Sequence, residues 1–381
     1  MEMKGRREDC DVPDTVWLEI LSKLPQKSKF KFRCVSKTWN LLISDTYYMA
    51  TKTLSPWNLL VSEIYFKDTR RPVVPYTGIR FALPQHSEFT SIDFSLKFLP
   101  PQENGEIRVL ASSNGLLLCG NLSGYTYYVC NPLTAQYVSL PDSASKCELA
   151  GVGFLSTDRD YKVVQIRRCY PVHDTVRLRI FSSDVGEWKS IELSCPLLPR
   201  IDSESEQAAV FFNDTMHFFA SPDIVVACDL HKEQCRLIHL PKTGSFRLIS
   251  DKLLRVCNGQ LQYLQSVTRF VLKQRHQLPD WDLIVRKLDD YDAGEWSIQV
   301  KIPMGQCGPT RFRVLAFHPF DVNVIYGQRQ KSIFCFNLET WTFERVNDEG
   351  FPPLLRSSAV FPFVLPPWPK TIPQPTWKTI P

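Results

Sequence analysis

Four soft metal ligands fall close together in this chain: Cys228, His231, Cys235 and His239. Thiolates and imidazoles are the ligands that Zn²⁺ prefers at structural sites. The same segment also aligns with other strand–turn–strand units of the chain, in which Cys228 takes the place of Cys130 and Cys235 the place of Tyr137. Core positions explain both cysteines, so we expect no metal at this place.

Carboxylates that could do acid–base chemistry cluster at two places in the sequence: Asp158 and Asp160, then Asp289, Asp290 and Asp292. Each cluster lies in a predicted turn, where an aspartate commonly accepts hydrogen bonds from its own backbone. The chain has no GxSxG elbow, no Walker loop and no HExxH helix. Gly151 and Gly153 are followed by Ser156 where a dinucleotide loop needs a third glycine. We therefore expect no catalytic activity and no cofactor.

The elements that would carry these residues are short β-strands that recur at a period of about fifty residues, in the range of propeller blades. Polar turns such as Asn114-Gly115 and Asn258-Gly259 precede apolar strands and predict tight hairpins. A second type of unit, a strand, a polar turn and another strand, recurs at 127–141, 177–193, 225–241, 283–303 and 333–346. About four strands per unit predict a β-propeller of about six blades, the first supplied by residues 57–110.

A compact helical segment precedes these strands, from Val12 to Ile43. After the start at Pro13 and Asp14, apolar residues repeat at the spacing of one helical face, and Pro25 ends the helix. A second apolar series from Phe30 to Ile43 fits two shorter helices. Three helices in about 40 residues make a marginal domain, so the segment needs a partner for its surplus apolar surface.

This segment resembles the F-box in its Pro-Asp opening, its Glu-Ile-Leu-x-x-Leu-Pro run at 19–25 and its Arg-Cys-Val-Ser-Lys-x-Trp run at 33–39. The resemblance implies binding to the Skp adaptor of a Skp, cullin, F-box (SCF) ubiquitin ligase, and through it to cullin and RING subunits. It also implies the residues that pack on the adaptor: Pro13, Leu18, Ile20, Leu21, Leu24, Pro25, Val35 and Trp39. The alternative is an ordinary helical subdomain that packs on the rest of its own chain.

The strand-rich region resembles the F-box-associated domain of plant F-box proteins, in the segments 112–120, 129–141 and 151–166. That resemblance implies a kelch-like propeller, although the chain has no Gly-Gly pair. We predict a small all-α F-box at 8–55 and an all-β, kelch-like propeller at 56–362. A Pro-rich extended tail follows at 363–381, with the near-duplicates Trp368–Pro373 and Trp377–Pro381 as a possible docking motif.

Composition limits the partners. The net charge is only +5 and is spread along the chain, which argues against nucleic acid as a partner. No apolar run approaches the roughly 18 residues of a membrane span, so we expect no membrane partner and a location in the nucleus or cytoplasm. The cysteines that lie singly in apolar strand-like runs are expected to be reduced core residues: Cys119, Cys130, Cys257 and Cys335.

Propellers bind partners through loops at one end, and aromatic and arginine side chains dominate binding energy at protein interfaces. The candidates in loop-like contexts are Arg167, Arg168, Tyr170, His173, Trp281 and Arg311. We predict a non-catalytic substrate-recognition subunit of an SCF-type ligase with an unknown substrate protein. Two alternatives stay open: a sensor whose propeller binds a small ligand or a glycan, and a scaffold that binds the adaptor outside any ligase.

Overall fold

The computed structural model describes part of the chain. The described residues are 13–24, 28, 32, 35, 39, 57–62, 79–81, 96–100, 107–121, 126–141, 149–168, 174–198, 201, 208–220, 223–241, 247–257, 259–269, 280–304, 312–330, 332–346, 359–365 and 371–373. Within these ranges the chain forms the helix α1 at Asp14–Ser22 and twenty-three β-strands, and the separately described residues Ser28, Phe32 and Trp39 are also helical. The strands form five four-stranded sheets and one three-stranded sheet.

The five four-stranded sheets are consecutive antiparallel meanders, here called blades 1 to 5. Blade 1 consists of β3 (Ile107–Ser113), β4 (Leu116–Asn121), β5 (Tyr127–Asn131) and β6 (Gln136–Ser139). Blade 2 consists of β7 (Leu149–Ser156), β8 (Tyr161–Arg167), β9 (Thr175–Ser182) and β10 (Trp188–Ser194). Blade 3 consists of β11 (Val210–Phe212), β12 (Thr215–Ala220), β13 (Ile224–Asp229) and β14 (Gln234–His239). Blade 4 consists of β15 (Arg247–Cys257), β16 (Gln260–Arg269), β17 (Asp280–Asp290) and β18 (Glu295–Pro303). Blade 5 consists of β19 (Phe312–Phe317), β20 (Val324–Arg329), β21 (Ser332–Asn337) and β22 (Phe343–Arg345).

The three-stranded sheet, here called the closing sheet, joins the two ends of the propeller. It consists of β1 (Trp57–Ser62), β2 (Ile79–Phe81) and β23 (Ala359–Val364), with β1 in the middle. Neighbouring inner strands touch around the whole ring, from β23 through β3, β7, β11, β15 and β19 and back to β23. The prediction of about six four-stranded blades is corrected to five complete blades and this closing sheet. Residues 57–110 do not form a blade alone, because the inner strand of their sheet comes from the far end of the chain.

The core of the propeller is divided among the interfaces between neighbouring sheets. The interface of blades 1 and 2, for example, contains Leu118, Tyr127 and Val129 from blade 1 and Val163 and Phe181 from blade 2. Equivalent apolar clusters lie between every other pair of neighbouring sheets. Each blade therefore buries both of its faces, which explains why its central strands are apolar on both sides.

Local turn chemistry sets the hairpins within the blades. Asn114 and Gly115, between β3 and β4, both have positive φ angles, as the tight turn that joins them requires. Between β17 and β18, the Asp290 carboxylate accepts hydrogen bonds of 2.8 Å from the backbone N–H groups of Asp292 and Ala293. This confirms the sequence prediction that the Asp290 carboxylate accepts hydrogen bonds from the backbone of its own turn.

Part of the C-terminal region is folded onto the propeller. The strand β23 ends at Val364, so it crosses the predicted domain limit at 362, and Leu365 after it is fully buried. Further on, Ile372 is 3% exposed and belongs to the core cluster between blades 1 and 2. Residues 371–373 are thus locally packed, whereas the tryptophans of the duplicated motif lie outside the described residues.

Candidate functional sites

The N-terminal helix α1 is organised around one fully buried side chain. Its first backbone N–H groups, at Val16 and Trp17, donate to the carbonyl of Pro13, which opens the helix. Leu21 is 0% exposed and packs with Trp17, Leu24, Phe32 and Trp39. The ring centroids of Trp17 and Trp39 are 5.0 Å apart, and those of Phe32 and Trp39 are 5.2 Å apart. These contacts give the short segment an aromatic core of its own.

Apolar side chains remain exposed outside this aromatic core. Val16 and Ile20, one helical turn apart, are each 43% exposed, and Val35 is 61% exposed. The nearby pair of Glu19 and Lys23, 2.9 Å apart, shows that the same helix also has an ordinary polar surface. Large exposed apolar patches commonly mark protein–protein interaction sites, so Val16, Ile20 and Val35 mark a candidate binding surface.

The structure separates the predicted adaptor-binding residues into groups. Pro13, Ile20 and Val35 are exposed and available to a partner. Leu24 and Trp39 are partly buried in the aromatic core, and Leu21 is completely buried there. Pro25 and the side chain of Leu18 lie outside the described residues.

The two ends of the propeller differ in how their strands are connected. At one end, here called the lower end, short turns join the first strand of a blade to the second and the third to the fourth, as at 114–115 and 132–135. At the other, the upper end, second strands lead into third strands and each blade leads into the next. The longest connections between blade strands lie there, at 195–209 and 270–279. Long connections give a binding surface room to vary, so the upper end is the candidate binding surface.

Of the predicted substrate-binding residues, Arg167, Arg168 and Trp281 are described, and they lie toward the upper end. Arg167 is the last residue of β8 and Arg168 follows it, both half-buried. Tyr170, His173 and Arg311 lie outside the described residues. Trp281 is the second residue of β17, but it is 6% exposed and packs in the core between blades 4 and 5. The expectation that Trp281 lies in a loop is therefore wrong: it follows a long connection, and its ring is a core side chain.

The cysteine and histidine pattern does not converge on one point. Cys228 and Cys235 are opposite each other on β13 and β14 and form a disulfide, at the register that Cys130 and Tyr137 occupy in blade 1. His231 lies exposed in the hairpin turn, and His239 lies four residues along β14 from Cys235, or about 13 Å away at strand spacing. Among the described residues, no group of side chains could hold a metal ion. The buried cysteines Cys119, Cys130 and Cys257 carry free thiols, as does the half-buried Cys335.

Sequence reasoning missed a polar row at the interface of blades 1 and 2. Gln165 and Arg179 are paired across β8 and β9, and they face blade 1, where Arg108 and Tyr127 flank Gly120. The signal in the sequence was a break in the apolar pattern of this face of blade 2. Val163 and Phe181 are apolar, whereas the next positions on the same face, Gln165 and Arg179, are polar.

No helix in the described part of the chain has the length and apolar content that crossing a membrane requires. Comparison with family models gives two matches. Residues 83–351 match the model described as F-box protein At3g26010-like, beta-propeller, and residues 10–49 match the F-box domain.

Curated relatives are similar over most of their length. F-box protein At1g30790 of Arabidopsis thaliana is 25% identical, with 91% of this chain and 92% of that protein covered. F-box protein At3g26010 of Arabidopsis thaliana is 23% identical, with 89% of this chain and 80% of that protein covered. Among solved structures, the beta-propeller domain of Myceliophteria thermophila Cps50 (Swd1) is 13% identical at a TM-score of 0.37, with 66% of this chain and 88% of that chain covered.

Proposed function

The chain belongs to the F-box protein At3g26010-like β-propeller family, and we propose that it is the substrate-recognition subunit of an SCF-type ubiquitin ligase. In this role the N-terminal segment binds a Skp-type adaptor, and the upper end of the propeller binds a substrate protein. The observation that carries the first half of the proposal is the exposed apolar set Val16, Ile20 and Val35 beside a self-contained aromatic core.

The proposed mechanism is a proximity effect. An adaptor held by the F-box connects this chain to cullin and RING subunits, and these place a charged conjugating enzyme near the bound substrate. Tethering raises the effective concentration of substrate lysines around the conjugating enzyme, so the chain itself supplies no catalytic group. Arg167 and Arg168 at the upper end are the described candidates for substrate contact.

The adaptor-binding surface is tested by single substitutions. We expect Ile20→Asp and Val35→Asp each to weaken capture of the purified adaptor at least tenfold, because each places a charge on an apolar contact surface. The matched control is Lys23→Gln, which changes charge on the same helix at a side chain that is 74% exposed. Thermal unfolding of each variant checks that the aromatic core persists. Adaptor capture at the wild-type level by both folded aspartate variants would overturn the assignment.

Ligase function requires a second measurement. The full chain and a version lacking residues 1–55 are used as baits in plant-cell extract with the proteasome inhibited, and retained proteins are identified by mass spectrometry. We expect adaptor and cullin to disappear with the deletion, while a substrate protein stays bound to the propeller. Adaptor without cullin would favour a scaffold outside the ligase.

A further inference from the structure

The interface of blades 1 and 2 changes character along its length. Toward the lower end it is apolar, with Tyr161, Val163 and Phe181 of blade 2 in contact with blade 1. Toward the upper end the two facing rows are polar. In blade 1, Arg108 is opposite Gly120, which is opposite Tyr127; in blade 2, Gln165 is opposite Arg179. Two arginines from neighbouring blades therefore converge on one cleft.

The donors in this cleft lack acceptors. Gln165 is 2% exposed, and Arg108 and Arg179 are half-buried. Their atoms Arg108 Nε, Arg179 Nε, Arg179 Nη1 and Gln165 Nε2 are buried without a hydrogen-bond partner among the described residues. Buried donors without acceptors are rare in folded proteins, because each costs the desolvation of a polar group. A group that supplies several acceptor oxygens would satisfy them together.

The charges in the cleft are also unbalanced within the described part of the chain. Glu192, which lies beside this row, is paired with Arg177 at 2.9 Å, and no carboxylate there contacts Arg108 or Arg179. The equivalent interface of blades 3 and 4 differs, because its buried Asp282 lies 3.8 Å from Lys301. Among the described residues, the cleft between blades 1 and 2 thus has two cationic groups and no anion, whereas the interface of blades 3 and 4 contains Asp282.

The donors of the cleft are held in place by the groups packed around them. Gly120 lets Leu110 pack closely against this strand, since a Cβ there would approach Leu110 Cδ1 to 2.8 Å. The Arg179 guanidinium lies 5.4 Å from the centroid of the Trp188 ring, whose Nε1 donates to the Pro141 carbonyl at 2.9 Å. Burial raises the pKa of Tyr127, and the Gln165 amide and the charges of Arg108 and Arg179 oppose that rise. Donors held in this way need little reorganisation to bind an anion.

We propose that this cleft binds a phosphate group, with Arg108 and Arg179 as the charged donors and Gln165 as the neutral donor. Two guanidinium groups match the two charges of a phosphate monoester, whereas one carboxylate would leave one of them uncompensated. The donors lie toward the upper end of the propeller, where Arg167 and Arg168 also lie, so we expect the phosphate to enter from that end. The ligand is a small organic phosphate or a phosphorylated side chain of a bound protein.

The site is tested by calorimetric titration of the full chain at constant ionic strength. The probes are inorganic phosphate, O-phosphoserine and a mixture of phosphoserine peptides. The same peptides without phosphate are titrated separately as a control. We expect saturable binding of inorganic phosphate, weakened at least tenfold in Arg108→Gln and Arg179→Gln and several-fold in Gln165→Leu. The matched control is Arg286→Gln, which removes a buried arginine at the interface of blades 3 and 4 and should bind as wild type does. Tighter binding of the phosphopeptides than of O-phosphoserine identifies a protein ligand, and equal or weaker binding identifies a small phosphate.

A second measurement separates ligand binding from a structural role. We expect the unliganded Arg108→Gln and Arg179→Gln variants to unfold at the wild-type temperature or above it, because a buried uncompensated charge is removed. Phosphate should raise the unfolding temperature of wild type and not of these variants. The absence of saturable phosphate binding by wild type, or equal loss in Arg286→Gln, would overturn the proposal. Adaptor capture does not use this cleft, so its result stands apart from this test.

Discussion

At the residue scale, a buried histidine fastens blade 3 to blade 4. His217 on β12 is fully buried, and its Nε2 is 2.7 Å from the hydroxyl of Tyr291, in the turn between β17 and β18. The Arg236 guanidinium lies 4.0 Å above the same tyrosine ring and donates to the Tyr291 carbonyl. The imidazole is therefore held beside a fixed cation and away from water.

This environment makes stability depend on pH. Burial lowers the pKa of His217 from 6.5 to about 4 in the folded protein. The neutral imidazole is thus favoured by folding, so its contribution is complete above pH 6.5 and is lost as the pH falls toward 4. We expect wild type to lose up to about 3 kcal/mol of unfolding free energy over this range from His217 alone. Urea unfolding at pH 7.5, 5.5 and 4.5 measures it, with His217→Gln as the comparison. Parallel pH profiles of the two proteins would contradict the assignment.

At the scale of elements, Arg255 of β15 ties blade 4 to the turn between β19 and β20. Arg255 is 8% exposed, and its guanidinium donates to Gln262 Oε1 at 2.7 Å and to the Val322 carbonyl at 2.9 Å. The Phe317 ring centroid lies 3.9 Å from the guanidinium carbon. The Arg255 side chain thus holds the backbone of a turn in the next blade. This contact explains how the connection between β19 and β20, which is longer than a tight hairpin turn, keeps one conformation.

Loss of this anchor should destabilise the propeller. We expect Arg255→Ala to lower the unfolding free energy by about 2–4 kcal/mol, because charge-assisted hydrogen bonds and the contact with Phe317 are lost together. Arg255→Lys should recover only part of this, since an ammonium group cannot reproduce the planar fork. The control Lys189→Gln breaks an exposed ion pair with Glu233 and should change stability by less than about 1 kcal/mol. Urea unfolding compares the three variants, and an alanine variant as stable as the control would refute the role.

The same scale shows what the sequence could predict. The turn at Asn114 and Gly115 and the self-capping of Asp290 follow from chemistry within four residues, so the hairpins were predictable. Trp281 was misplaced because its neighbours in sequence form a connection, while its neighbours in space are the core of blade 5. The cleft between blades 1 and 2 was missed because Arg108 and Arg179 meet only after two sheets pack together. Local patterns thus predict strands and turns, and inter-blade sites need the assembled ring.

At the scale of the whole molecule, closure of the ring depends on residues from opposite ends of the chain. In the closing sheet, β1 pairs with β23 from Trp57 opposite Val364 to Ser62 opposite Ala359. Nothing in the local sequence specifies this pairing, which explains why a separate first blade was predicted. Without it, blades 1 and 5 would each expose a face and the inner ring would have open edges.

Truncation at the C-terminus tests this dependence. A chain that ends at residue 358 lacks β23, and with it Phe361, Phe363 and Leu365, which pack against blade 1. We expect this truncation to lose cooperative thermal unfolding and to aggregate, because the interfaces on both sides of the closing sheet lose a partner. A chain that ends at residue 373 keeps β23 and Ile372 and should unfold cooperatively near the wild-type temperature. Calorimetry and size-exclusion chromatography distinguish the two chains. Cooperative, monomeric behaviour of the shorter chain would mean that five blades suffice, and the closing sheet would then have no essential part in the fold.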